Sequence, residues 1–279
     1  MRRHGWLAVV LATLALAAPA HARVPAGSRS VSAGAVTATL SWSAGDFFAG
    51  RPALRIVRAG VVAFDAPLAS ACRACTSLAD PETALSVTDL DGDGEPEILV
   101  DTYTGGAHCC TVTPIFRWTG AGYRRLTASF GNVGYSLEDL DHDGRPEFVT
   151  ADDSFAYAFT AFAFSAFPLR ILDYGTDRGG RTALLRDVTS SYPALVAKEA
   201  AGLRHDVARR GRGDDARGLI AAYVADLYRL GRRAQAAAYL DSALRRGLLD
   251  SPDPGFDIWP ARARYVRTLR RFLRSHGYG

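Results

Sequence analysis

Hydrophobic and polar positions change period along the chain. VTATLSWS, residues 36–43, alternates strictly and predicts a half-buried strand. Three later segments each carry a proline, a strand-like run, a Gly-containing turn and a second strand-like run. They are PALRIVRAGVVAFDAPL from Pro52, PIFRWTGAGYRRLTASF from Pro114 and PLRILDYGTDRGGRTALLRDVT from Pro168. Each predicts a hairpin. Their starts lie 62 and 54 residues apart, a period suited to β-repeat units such as propeller blades. In FAYAFTAFAFSAFP, 155–168, Phe155, Tyr157 and Phe159 alternate, and Phe162 and Phe164 resume on shifted parity. That predicts an aromatic row on one sheet face with a bulge or turn near Ala161. The row reads as core, or as a platform for a sugar or apolar ligand.

Past Tyr192 the period lengthens. Leu219, Ile220, Tyr223, Val224 and Leu227 fall at helical spacing, Gly231 interrupts, and Ala236, Leu240, Ala243 and Leu244 form a second stripe. Two amphipathic helices within 216–249 are predicted, similar to a single tetratricopeptide-type hairpin. A third covers 260–275, and 200–218 reads as a linker or frayed helix. The predicted fold is mainly β, with antiparallel blade-like repeats over 35–191 and a small α-helical region over 199–279.

The chain begins MRRHGWLAVVLATLALAAPAHA, two arginines before an apolar run that ends in Ala20-His21-Ala22. This is the pattern of a secretory signal peptide over 1–22, cleaved after Ala22. An uncleaved anchor is the alternative, although the run is short for a ~20-residue span. No later stretch reads as membrane-spanning, so a secreted or periplasmic location is expected. The net charge of +4 includes Arg2 and Arg3 and is too small to suggest a nucleic-acid partner. Four cysteines follow the leader, Cys72, Cys75, Cys109 and Cys110. In an exported protein they predict disulfides, with cross-pairing of the 72/75 loop to 109/110 favoured over a vicinal ring. A four-thiolate zinc site and a CRAC redox motif are weaker alternatives.

Two dodecamers carry the candidate chemistry: DLDGDGEPEILV at 89–100 and DLDHDGRPEFVT at 139–150. Asp89, Asp91 and Asp93 alternate, Gly94 permits a sharp turn, and Glu97 returns a fourth carboxylate. Asp139, Asp141, Asp143, Gly144 and Glu147 repeat the arrangement. Calcium takes six to eight oxygens in flexible geometry, and the carbonyls of Glu95 and Arg145 would each add one. Without a cation, carboxylates about 4 Å apart repel by ~1 kcal/mol in bulk water and ~4 at a near-surface effective dielectric. Plain acidic turns are the simpler alternative. An EF-hand needs Glu at position 12 and helical flanks, whereas Val100 and Thr150 stand there and Pro96 and Pro146 precede strand-like runs.

On these residues the chain resembles the FG-GAP/VCBS repeat family, the blades of integrin-type β-propellers. The resemblance covers about 50–190 and is specific at the loops. It implies calcium ligation by Asp89, Asp91, Asp93 and Glu97, and by Asp139, Asp141, Asp143 and Glu147. Family loops often end in Asp where this chain has Glu. Two loops and three hairpins are too few for a seven-bladed ring, so an incomplete propeller is expected.

Familiar catalytic signatures are absent: no G-x-S-x-G elbow and no H-E-x-x-H. His142 reads as a surface residue inside the second loop, and His108 as structural beside the cysteines. Asp101, Asp152 and Asp153 follow the post-loop strands and offer a carboxylate pair for glycan hydrolysis. Arg212-Gly213-Asp214 reads as coincidence in an Arg-, Gly- and Asp-rich stretch. The leading expectation is a non-enzymatic calcium-binding module that presents a surface to a protein or glycan. An exported carboxylate-dependent hydrolase is the alternative.

Overall fold

In the computed structural model the described residues are 23–71, 73–106, 108–177, 182–210, 214–255 and 257–278. The predicted signal peptide, Cys72, Arg212 and Gly213 therefore lie outside the described residues. Three antiparallel meanders of four strands follow one another. The first joins Gly27–Ala33, Val36–Ser43, Ala49–Arg58 and Val61–Pro67 in order. The second joins Leu85–Thr88, Glu97–Val100, Cys109–Trp118 and Tyr123–Gly131. The third joins Ser136–Glu138, Glu147–Ala151, Leu169–Thr176 and Ala183–Asp187. Short strands Ser77–Leu78 and Thr102–Gly106 connect the first two into one ten-stranded sheet. The assembly does not close into a barrel or propeller.

All three predicted hairpins are the last two strands of a meander, because each combines strand-forming runs with a turn of suitable chemistry. Between Arg58 and Val61, for example, Ala59 and Gly60 both take positive φ (48° and 79°), as a tight two-residue hairpin requires. Val36–Ser43 buries Val36, Ala38, Leu40 and Trp42 and turns its hydroxyls outward. There Thr39 and Thr37 bond Ser30 and Ser32 across the strand pair at 2.8 and 2.9 Å.

Glu97–Val100 is buried at every position, so its apolar run is continuous rather than alternating. Its two faces serve different cores. Ile98 and Val100 join Leu40, Leu54 and Ile56 of the first meander, whereas Leu99 joins Phe148, Leu172 and Tyr174 of the third. The middle meander is thus packed between its neighbours, and Glu97 shares the face of Leu99.

The aromatic run departs from expectation. Residues 155–168 form no strand but two short 3-10 turns, Asp153–Phe155 and Phe162–Phe164. The Asp152 carboxylate accepts from the Ser154 amide at 3.1 Å and ends the preceding strand. Phe155 and Phe159 then plug the helical core, their ring centroids 4.9 and 5.1 Å from that of Phe272. Burial against helices outweighs what a fifth strand would gain.

Four helices cap the third meander: Pro193–Arg209, Arg217–Arg229, Arg233–Arg245 and Arg262–Ser275. The first starts before 199 and covers 200–209 of the segment read as a linker or frayed helix. Pro193 opens it at a position where no intrahelical N–H is needed. Val196, Ala200, Leu203 and Val207 form its buried stripe. The predicted break at Gly231 is present, with φ of 68° and the Arg232 amide reaching back to the Leu227 carbonyl at 2.8 Å. Arg217–Arg229 is the central helix and is buried all round along its first three turns. A Cβ on Gly218 would sit 2.1 Å from the Phe164 carbonyl oxygen, so glycine lets the aromatic plug approach the helix backbone. No helix among the described residues is long and apolar enough to cross a membrane.

The cysteine expectation is corrected. Cys109 and Cys110 are bonded to each other, and the peptide between them is cis. Cys109 lies where the Thr102–Gly106 hairpin turns back, opposite Gly106, whereas Cys75 is buried in the first core. Cys75 is also disulfide-bonded, with its partner outside the described residues. With these sulfurs oxidised, the four-thiolate zinc alternative falls.

Buried charge ties the helices together. Arg217, 1% exposed, pairs with Asp215 at 2.6 Å and Asp257 at 2.7 Å, and its carbonyl accepts from the Tyr265 hydroxyl at 2.6 Å. The Thr160 hydroxyl donates to Asp215. Arg217→Met leaves two buried carboxylates uncompensated and is expected to cost about 3–5 kcal/mol in urea unfolding. Asp226 is the opposite case, fully buried with neither carboxylate oxygen hydrogen-bonded. Burial, reinforced by Glu199, pushes its pKa up to about 8. Folded Asp226 therefore keeps a proton that the unfolded chain releases, and stability falls as pH rises from about 4 to 8, by up to about 1.4 kcal/mol per unit. In thermal melts, Asp226→Asn should exceed the parent most at pH 8 and converge with it near pH 4.

Candidate metal centres

Both dodecamers join the first strand of a meander to its second. Each loop is closed by facing residues, Thr88 opposite Glu97 in the second meander and Glu138 opposite Glu147 in the third. Gly92 and Gly94 hold positive φ in the first loop (73° and 83°), and His142 and Gly144 hold it in the second (62° and 87°). His142 is exposed, as expected for a side chain on the outside of the loop.

Carboxylates organise the loop backbone. Asp89 accepts from the amides of Gly92 and Gly94 at 2.8 and 2.9 Å, and Asp139 from those of Asp143 and Gly144, both at 3.1 Å. Glu97 Oε2 accepts from the Leu90 amide at 3.0 Å, and Glu147 Oε2 from the Leu140 amide at 2.9 Å. These contacts turn the remaining oxygens inward. Asp89, Asp91 and Glu97 each bring an oxygen within 4.8 Å of the others, and Asp139, Asp141 and Glu147 do the same.

The other sequence-predicted ligands engage elsewhere. Asp93 accepts from the Glu95 amide at 2.9 Å and from Arg117 at 2.9 Å. Asp143 accepts from the Arg145 amide at 2.9 Å and pairs with the Arg145 guanidinium. The Glu95 side chain is drawn to Arg58 of the first meander at 2.6 Å, so only its carbonyl is left to serve an ion.

The first centre is the more deeply placed. Glu97 is fully buried, and neither its Oε1 nor Asp91 Oδ1 has a hydrogen-bond partner. Burial pushes the Glu97 carboxyl up to about 8, with Asp91 and Asp93 adding repulsion. Asp91 is raised by burial and by Asp93. The Tyr174 hydroxyl, from the third meander, is buried without a partner, and the charges of Glu97, Asp91 and Asp93 raise its pKa beyond the effect of burial. Orphaned acceptors of this kind, all oxygen, are what a hard divalent cation satisfies. The donor set fits calcium.

Three contributors were not anticipated. Arg117 stands on Cys109–Trp118, and its Nε lies 3.4 Å from Asp91 and 3.8 Å from Glu97. Tyr174 borders the first centre, and Tyr192 lies near the second, its pKa raised by burial and then by Glu147. Strand register alone could have shown Arg117, since Ile115 faces Leu99 and Phe116 faces Ile98.

The carboxylates considered for hydrolysis are committed to structural contacts. Asp101 accepts from the hydroxyls of Thr113 and Tyr135 at 2.7 and 3.0 Å. Asp152 caps Ser154 and accepts from Tyr278 at 2.8 Å. Asp153 accepts from the amide and side chain of Asn132 at 2.9 and 2.7 Å.

No family model and no solved structure matches the chain. It is 40% identical over 85 residues to the uncharacterized protein y4bJ of Sinorhizobium fredii, a match covering 30% of this chain and 14% of the relative. It is 41% identical over 95 residues to the probable thylakoid lumen protein sll0997 of Synechocystis, covering 33% of this chain and 28% of the relative. The chain thus matches under a third of the length of either relative.

Proposed function

We infer that this chain is an exported, non-enzymatic calcium-binding β-repeat module whose two loops fix the heads of its second and third meanders. The observation that carries this reading is the pair of buried oxygens without a hydrogen-bond partner, Asp91 Oδ1 and Glu97 Oε1, on side chains that converge with Asp89. The repetition of the same trio fifty residues later, at the same place in the next meander, supports it. Export draws support from the leader-like N-terminus and from the likeness to a protein named for a lumenal compartment.

A partner of protein or glycan type would find exposed rings on the outer side of the aromatic connection. Tyr157 and Phe164 are exposed, and Phe162 packs against the His108 ring, tilted, at a centroid distance of 4.4 Å. The structural commitments of Asp101, Asp152 and Asp153 support a binding role over hydrolysis.

At a calcium concentration ten times its dissociation constant, each site adds about 1.4 kcal/mol. Two occupied sites should raise the melting temperature by roughly 6–11 °C for a chain of this size. In calorimetric melts, an Asp91→Ala/Asp141→Ala double variant should lose this calcium-dependent increment. A parent protein that melts at one temperature in millimolar calcium and in chelator would overturn the reading.

A further inference from the structure

The two centres are built alike in their loops and differently in the strand beside them. In the second meander, register places Arg117 next to the loop-closing glutamate, paired across the hairpin with Arg124. In the third, Phe148 faces Leu172, so the corresponding position is Asp173, paired across with Arg186. One repeat therefore carries a cation where the other carries an additional carboxylate.

The contacts follow this exchange. Arg117 reaches three acids of its loop, Asp93 at 2.9 Å, Asp91 at 3.4 Å and Glu97 at 3.8 Å. Two of these belong to the converging trio. In the other centre, Arg145 pairs with Asp143, outside the trio, and Arg186 pairs with Asp173 at 2.6 Å. Among the described residues, no basic side chain forms an ion pair with Asp139, Asp141 or Glu147.

We propose that Arg117 is a built-in competitor for the first centre, so that the second takes up calcium first and the first fills only at higher concentration. This rests on the calcium reading of the two loops. A guanidinium held against two ligand carboxylates repels an arriving divalent ion and must give up those contacts or share them. At the corresponding position beside the second centre Asp173 is paired with Arg186, and no cation is held against that trio among the described residues. The module would then respond over two ranges of calcium, the later step acting at the boundary between the second and third meanders, where Tyr174 lies.

Calcium chloride titrated calorimetrically into the chelator-stripped full chain should give two events separated by about tenfold or more in dissociation constant. Asp141→Asn should remove the tighter event and Asp91→Asn the weaker. Arg117→Gln should tighten the weaker event toward the other, and Arg117→Lys, which keeps the charge, should not. Asp173→Arg, at the corresponding half-exposed position, should weaken the tighter event and provides an independent arm if Arg117→Gln fails to fold. Two equal events in the parent, or a weaker event unmoved by Arg117→Gln, would overturn the ordering while leaving calcium binding intact. No heat from the parent or any variant would overturn the calcium reading and the ordering with it.

Discussion

The arrangement depends on how the charge of Glu97 is balanced. Its side chain occupies a strand with no exposed position, on the face that joins the core between the second and third meanders. One carboxylate oxygen ties the loop by accepting from Leu90, so the residue cannot be turned out to water without releasing the loop head. The other has no hydrogen-bond partner and lies 3.8 Å from Arg117 Nε, on a side chain that converges with Asp89 and Asp91. Unbalanced charge there costs far more than at the surface. The same position therefore sets loop shape, strand burial and the demand for a cation.

The helices are held by the same logic with a different solution. Arg217 bridges Asp215 and Asp257, so here the counter-charge comes from a side chain of the protein. A second guanidinium, Arg229, joins the helices to the third meander by pairing with Asp187 at 3.2 Å and lying over the Tyr278 ring at 4.7 Å. Tyr278 in turn donates to Asp152, at the end of the strand that follows the second loop. Position and charge at the second loop are thus linked through one strand to the packing of the C-terminal helices.

What could be read from the sequence was local. Strand alternation in VTATLSWS, the turns of the three hairpins, the Asp and Gly spacing of the loops and the helix break at Gly231 are all decided within a few residues. The aromatic run was read correctly as core at Phe155 and Phe159, but its placement on a sheet face failed because a short alternating apolar segment suits a sheet face and a folded plug equally well. Only the presence of Phe272, more than a hundred residues later, decides between them. The cysteine pairing failed for a related reason: which sulfurs meet depends on where the hairpin tip and the first core place them. Arg117 and Tyr174 were invisible until strand register was known, and they distinguish the two centres.

Register also explains why the loops are not independent copies. The Arg145 side chain of the second loop crosses to the first and lies against Gly92, where an added Cβ would come within 3.0 Å of Arg145 Cδ. Glycine at 92 therefore serves both its own positive φ and the approach of the neighbouring loop. In the second loop His142 occupies the corresponding place and is exposed. The loops therefore meet at Gly92 and Arg145. Arg145 is anchored by Asp143, so any rearrangement of the second loop changes what packs on the first. Two dodecamers that look interchangeable as sequence differ in setting, one more exposed at its three converging acids, the other more deeply placed, flanked by Arg117 and touched at Gly92 by Arg145 of the second loop.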